Sequence, residues 1–76
     1  MMGFEIDRQF GQQIRKLRME RNWTQEQMVA KLQLNGYDIT RGALAKIESG
    51  TRHIYLDDLM ALQKVLQISF DELMAF

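Results

Sequence analysis

Apolar residues recur every three or four positions along most of the chain, which is the spacing of an amphipathic helix. Phe10, Ile14 and Leu17 are one such series. The spacing and the breaks between series predict five helices, at about residues 7–21, 25–34, 41–49, 56–66 and 70–75. Runs of strand length that alternate apolar and polar residues are absent, so an antiparallel sheet is disfavoured. We therefore predict an all-α fold.

Three of these helices begin with the same short pattern, in which Ser or Thr follows one apolar residue and precedes another. The sets are Trp23-Thr24-Met28, Ile39-Thr40-Leu44 and Ile68-Ser69-Leu73. A hydroxyl N-cap flanked in this way can form a hydrophobic staple. Gln27 and Glu72, each at the third position after a cap, also predict two capping boxes. Asn35, Gly36 and Gly50 tolerate a left-handed backbone and predict helix ends.

Composition excludes several kinds of site. The 76 residues include no cysteine and one histidine, His53, so we expect no disulfide framework, no metal site and no cofactor. The chain has no proline, no linker and no apolar segment long enough for a membrane span. We expect a soluble, unprocessed chain that forms a single domain over residues 1–76, with no evident small-molecule ligand.

The net charge is zero, but the charges are unevenly distributed. Residues 8–52 carry nine basic and four acidic side chains, a net +5, and the two ends together carry −5. One end of the fold could therefore be basic enough to attract nucleic acid. An ordinary solvated face is the alternative explanation.

The predicted third helix has two unlike faces. At 100° per residue, Leu44 and Ile47 point inwards. The outward residues are Gly42, Ala45, Lys46 and Ser49. A short, basic outer face can enter a major groove about 12 Å wide. Arg41, at the start of the helix, is the first candidate to read a base, because its planar guanidinium can make two hydrogen bonds to guanine. Lys46 is the second candidate. Solvated charges that bind nothing are the alternative for both.

Sequence motifs around this helix carry a resemblance to a known family. They are Leu-Arg at 17–18, Trp-Thr-Gln at 23–25, Ile-Glu-Ser-Gly at 47–50 and Leu-Gln-Ile-Ser-Phe-Asp-Glu-Leu at 66–73. From about Phe10 to Leu73, the chain resembles the helix-turn-helix family of phage Cro and lambda-type repressors, also called XRE. The resemblance implies a compact five-helix, lambda-repressor-like DNA-binding domain, with the helix-turn-helix at helices 2 and 3. It also implies a cytoplasmic, nucleoid-associated protein encoded by a bacterium or phage.

The same resemblance assigns roles to individual residues. Base contacts are implied for Arg41, Gly42, Ala45 and Lys46, and phosphate contacts are predicted for Thr24, Gln25, Thr40, Ser49, Thr51, Arg52 and His53. Gln25 is also expected to brace the recognition helix. Arg18 and Glu48 match a family pair that forms a structural salt bridge between helices 1 and 3.

Two departures from the family pattern affect these expectations. Gln33 stands where the family has a turn Gly, and residues 35–39 make the connection longer than usual. We expect the fold to tolerate the longer turn. Gly42 replaces a side chain that often reads a base, so the base code should be sparse and depend on Arg41, on phosphate contacts and on DNA shape.

These features predict a sequence-specific transcriptional regulator, most simply a repressor, that binds an operator in double-stranded DNA. One copy presents one recognition helix, so a homodimer on a roughly palindromic site is expected. Several apolar residues are hard to bury in a small domain and predict the subunit interface: Tyr55, Leu56, Met60, Met74 and Phe76. Trp23 is expected to be a core anchor rather than a base-stacking residue.

Two other functions compete with this prediction. A protein-interaction module, such as an antitoxin-like helix-turn-helix that holds a partner protein, would fit the neutral net charge and the small residues Gly42 and Ala45. An enzyme is the weaker alternative. Ser49 and His53 lie close in sequence, but Gly50 interrupts the helix and no third group is placed to orient them.

Overall fold

The computed structural model describes residues 2–76, with side chains from residue 5 onwards, so residue 1 of the predicted domain lies outside the described residues. The helices are α1 (Met2–Glu20), α2 (Gln25–Leu34), α3 (Arg41–Ser49), α4 (Leu56–Leu66) and α5 (Phe70–Leu73). This part of the chain contains no strand, and the all-α prediction is confirmed. No helix within residues 2–76 combines the length and apolar character needed to cross a membrane.

The first and last helices differ from their predicted bounds. The first helix begins five residues before the predicted Asp7. Ile6 in the added turn is exposed, and the Glu5 carboxylate accepts hydrogen bonds from Arg8 and Gln9, so this turn adds polar contacts rather than core packing. The last helix stops at Leu73, two residues before the predicted end.

The core lies between α1, α2, α3 and α4, and α5 adds one side chain to it. Its fully or nearly fully buried members are Phe10, Ile14, Met28, Val29, Leu32, Ile39, Leu44, Ile47, Leu62, Val65, Leu66 and Leu73. Burying a side chain of this size stabilises the fold by about 1.5–3 kcal/mol. All six predicted staple residues belong to this core or pack against it, and Trp23 is half-buried as one of the flanking residues.

The predicted N-caps form at three helices, and one capping box is incomplete. Thr24 accepts from the Gln27 backbone N–H at 3.0 Å, and the Gln27 side chain accepts from the Thr24 N–H at 2.8 Å. Thr40 also caps its helix. At α5, Ser69 accepts from the Glu72 N–H, but the Glu72 carboxylate accepts from the Ser69 hydroxyl instead of the backbone. The capping box predicted at Ser69 was therefore wrong in this half.

α1 and α3 cross at very close range. A Cβ on Gly11 would lie 2.7 Å from the Glu48 carbonyl oxygen and nearer still to that of Ile47. Gly50 ends α3 at φ 74°, and a Cβ there would lie 2.6 Å from the Arg8 Cα. Only glycine permits the two backbones to approach this closely.

The long turn between α2 and α3 is closed by its own hydrogen bonds. Gly36 takes φ 85°, and the Tyr37 N–H donates to the Leu32 carbonyl at 2.9 Å. The Gln33 side chain, in place of the family's glycine, donates to the Ile39 carbonyl at 3.1 Å. These bonds return the chain to the start of α3 at Thr40.

Candidate nucleic-acid interface

The outer face of α3 carries mostly small side chains and is open to solvent. Gly42 is exposed, and the nearest atom to a Cβ placed there is the Thr40 hydroxyl oxygen at 3.9 Å. Lys46 and Ser49 are also exposed, and Ala45 is half-buried. Because Gly42 has no side chain and Ala45 has only a methyl group, a neighbouring molecule could approach the helix backbone closely at these positions.

The two cations of this face are weakly engaged within the protein. Arg41 Nε lies 3.6 Å from Glu26 Oε2, and these side chains are 64% and 69% exposed. An exposed pair of this kind contributes about 0–1 kcal/mol. Among residues 5–76, no side chain pairs with the Lys46 ammonium. Both cations are available to an external anion or hydrogen-bond acceptor.

The inner face of α3 is held by a largely buried ion pair. Arg18 donates to Glu48 from Nε at 2.7 Å and from Nη2 at 3.0 Å, with side chains 11% and 4% exposed. The hydrogen bond to Glu48 raises the pKa of Arg18. Gln25, the first residue of α2, donates to the same carboxylate at 3.1 Å, and Arg18 also donates to the Trp23 carbonyl. α1, α2 and α3 are thus joined at Glu48.

Two carboxylates on other helices hold the loop that follows α3. Asp7 of α1 accepts from the Ile54 N–H at 3.3 Å and lies 2.6 Å from His53 Nδ1. Asp58 of α4 accepts two bonds from the Arg52 guanidinium at 2.9 and 3.0 Å. The loop is thereby fixed from both sides before any ligand binds.

The Asp58 carboxylate also ties this loop to the long turn. It accepts hydrogen bonds from the Tyr37 hydroxyl and the Tyr55 N–H. Burial acts to raise the pKa of Asp58, but the bonds from Arg52, Tyr37 and Tyr55 outweigh it and hold the pKa below its ordinary value. Burial, together with the adjacent carboxylate, raises the pKa of Tyr37 to about 12.

A cleft beside α3 joins several of these elements. Its lining residues are Arg15, Arg18, Gln25, Ala45, Glu48 and Ser49. The N-terminus of α2, the outer face of α3 and one side of α1 therefore meet at one surface. A helix-turn-helix family model matches residues 14–73, most of the chain.

This chain belongs to the helix-turn-helix family of Cro and lambda-type repressors. The predicted family and fold are confirmed, and the family is one of DNA-binding regulators rather than of enzymes. The curated proteins and solved structures that were compared with the chain include no match.

The remaining predicted site residues of this helix-turn-helix protein lie at the starts of α2 and α3, at the end of α3 and in the loop that follows it. Thr24 and Thr40 cap α2 and α3 with their hydroxyl oxygens. The hydroxyls of Ser49 and Thr51 lie 2.9 Å apart at the C-terminal end of α3. Arg52 uses much of its guanidinium within the protein, and its side chain is 24% exposed.

Three residues at this site are not revealed by sequence spacing. The contact of Asp7 with His53 joins residues that are distant in sequence, so no spacing rule predicts it. Asp58 stands at the third position of α4, where an acid commonly accepts a hydrogen bond from the N–H of the cap residue, and this was the one local signal for its role. Arg15 was not singled out because only the packing of α1 on α3 brings it into the cleft.

Proposed function

We propose that this protein is a sequence-specific repressor that inserts α3 into the major groove of an operator. The observation that carries the proposal is the contrast within α3 between an anchored inner face and an outer face of small and weakly engaged basic residues. Such a helix can approach base edges without rearrangement. The loop after α3 is also held in place in advance, which lowers the entropy that binding would cost.

Contacts to DNA divide into those that read bases and those that position the protein. We propose that Arg41 and Lys46 reach base edges, while Gly42 and Ala45 let the helix come close. Phosphate contacts are proposed for Thr24, Gln25, Thr40, Ser49, Thr51, Arg52 and His53. For Arg52, the bonds to Asp58 support a second role in ordering the loop.

Selection from random duplex DNA tests this proposal. We expect the protein to enrich one motif, and Arg41→Ala to lose the preference at one base position, equivalent to about 1–3 kcal/mol of discrimination. Lys64→Ala is the control, because it removes an equal charge from the last turn of α4. An unchanged motif in the Arg41 variant would remove this residue from base reading. If the unmodified protein enriches no motif, the operator-binding proposal fails.

A homodimer is the second part of the proposal. Tyr55, Leu56 and Met60 at the start of α4 are 63%, 67% and 55% exposed, and Met74 and Phe76 are also exposed. A dimer that covers such residues would bind a palindromic operator if its two α3 helices meet half-sites about 34 Å apart, one turn of DNA. Bound in this way, the dimer would block access to a promoter.

Sedimentation equilibrium measures the oligomeric state directly. We expect a dimer for the unmodified chain and a monomer for Leu56→Asp, since a carboxylate in an apolar interface is costly. Gln67→Asp, an equal charge change at another exposed position, should remain dimeric. A monomer at all concentrations for the unmodified protein would contradict the proposed dimer.

The amount of exposed apolar surface also favours a second candidate function, a module that binds a partner protein. The dependence of binding affinity on salt concentration distinguishes the two functions. Phosphate-driven binding weakens steeply as ionic strength rises, and an apolar interface does not. For a DNA-binding repressor, the site of action would be the bacterial cytoplasm, at the nucleoid.

A further inference from the structure

α1 carries a row of residues along the side that faces α3. Residues 8, 11, 15 and 18 are spaced by three or four, so they share one face of the helix. Gly11 packs on the α3 backbone, and Arg18 pairs with Glu48. The backbone of Arg8 lies against Gly50. The close crossing at Gly11 brings the whole row to the edge of the recognition helix.

Arg15 is the member of this row whose charge is not used within the protein. It is exposed and lines the cleft beside α3 together with Gln25, Ala45 and Ser49. Within residues 5–76, no carboxylate pairs with its guanidinium. Arg18 lies in the same cleft, but Glu48 neutralises it. The remaining positive charge in the cleft therefore comes from Arg15.

We propose that Arg15 binds a phosphate of the DNA strand that borders the groove occupied by α3. This would add α1 to the DNA-binding surface, beyond the contacts proposed for α2, α3 and the loop, and it rests on the proposed function. A phosphate is favoured over a base because Arg15 stands on a neighbouring helix, to the side of the face that would enter the groove. Its guanidinium can make two parallel bonds to phosphate oxygens.

The experiment compares Arg15→Gln with Lys16→Gln. Both variants remove one positive charge from exposed positions of α1, but Lys16 is turned about 100° away and does not line the cleft. Binding is measured over a range of KCl concentrations to two duplexes, each two helical turns long. One is of mixed sequence, and the other contains the motif selected by the unmodified protein.

For Arg15→Gln, we expect the slope of log affinity against log salt to become shallower by about 0.9, the value for one lost phosphate contact. The affinity should fall by the same factor on both duplexes, because a phosphate contact carries no sequence information. Lys16→Gln should keep the slope of the unmodified protein. The melting temperatures of the two variants, measured first by circular dichroism, should match that of the unmodified protein.

Three results would overturn the role of Arg15. They are an unchanged slope in Arg15→Gln, an equal change in both variants, or a loss confined to the selected motif. Failure of the proposed function would look different, because the unmodified protein itself would then show no salt-dependent binding to either duplex. If the affinity of the unmodified protein falls steeply with salt and Arg15→Gln shows the same slope, only the role of Arg15 is rejected.

Discussion

The two faces of α3 differ in how many partners they have. On the inner face, Leu44 and Ile47 are completely buried, and Glu48 accepts hydrogen bonds from two other helices. On the outer face, Arg41 has one loose ion pair and Gly42 faces open space. The same nine residues thus form one anchored face and one open face. Substitutions on the inner face should change the free energy of unfolding, and substitutions on the outer face should change DNA binding.

The largest effect is expected at Glu48. Glu48→Ala removes the carboxylate that neutralises the Arg18 guanidinium and leaves that charge without its partner. The free energy of unfolding should therefore fall by about 3–5 kcal/mol. Denaturation in urea measures this change. Glu26→Ala breaks the exposed pair with Arg41 and should cost less than about 1 kcal/mol. Similar losses in the two variants would mean that the faces do not differ in this way.

The next effect tests how closely α1 approaches the inner face. Gly11→Ala places a methyl group against the carbonyl oxygens of Ile47 and Glu48, and these backbone atoms cannot rotate away. We expect a loss of about 3 kcal/mol, at the upper end of ordinary overpacking. Urea denaturation measures it. A variant as stable as the unmodified protein would show that the helices can separate without cost.

Asp58 tests the pH dependence of the loop beyond α3. Its pKa in the folded protein lies below the ordinary value of 3.8, so its ionised form stabilises the fold above that pH. This contribution is lost as the pH falls through the folded pKa. Asp58→Asn should cost about 2 kcal/mol at pH 7, and the difference from the unmodified protein should shrink in acid.

Thermal melting followed by circular dichroism between pH 7 and strong acid measures this dependence. Asp57→Asn is the matched control, because Asp57 is the exposed neighbour in the same helical turn. It should cost at most about 1 kcal/mol, through the helix dipole. A constant difference between Asp58→Asn and the unmodified protein at every pH would contradict the expectation.

The smallest effect has the opposite sign and lies on the outer face. Gly42→Ala adds a methyl group to open space in the first turn of α3, and the protein should become more stable by at most about 1 kcal/mol, the difference between Gly and Ala inside a helix. In a chain of this size, such a gain raises the melting temperature by about 4–8 °C. DNA affinity should fall, since the methyl group stands where the helix would approach the groove. A stabilised variant with unchanged affinity would argue against close contact at Gly42.

Local chemistry accounts for the parts of this fold that were predicted well. An N-cap such as Thr24 and its staple residues lie within one helical turn, so their interaction depends on spacing alone. Caps at α2 and α3, and apolar spacing at all three helices, placed α2, α3 and α4 at their observed bounds. Apolar spacing also identified the outward residues of α3, because the faces of a helix follow from its period.

The groups that escaped prediction interact over long sequence separations. Asp7 meets His53 and Asp58 meets Tyr37 because whole helices pack together, and no spacing rule connects such residues. The role of Gly11 likewise depends on a distant segment, because the α3 backbone at Ile47 and Glu48 lies against it. Arg15 became a candidate for the same reason.

The amino-acid sequence by itself determined the helical class, most helix bounds and the amphipathic character of α3, because these depend on neighbours within a turn or two. Tertiary structure alone decided how closely α1 lies on α3, which carboxylates hold the loop and which cations remain available for a ligand. Those properties depend on how helices pack, and the side chains that meet there come from distant parts of the chain.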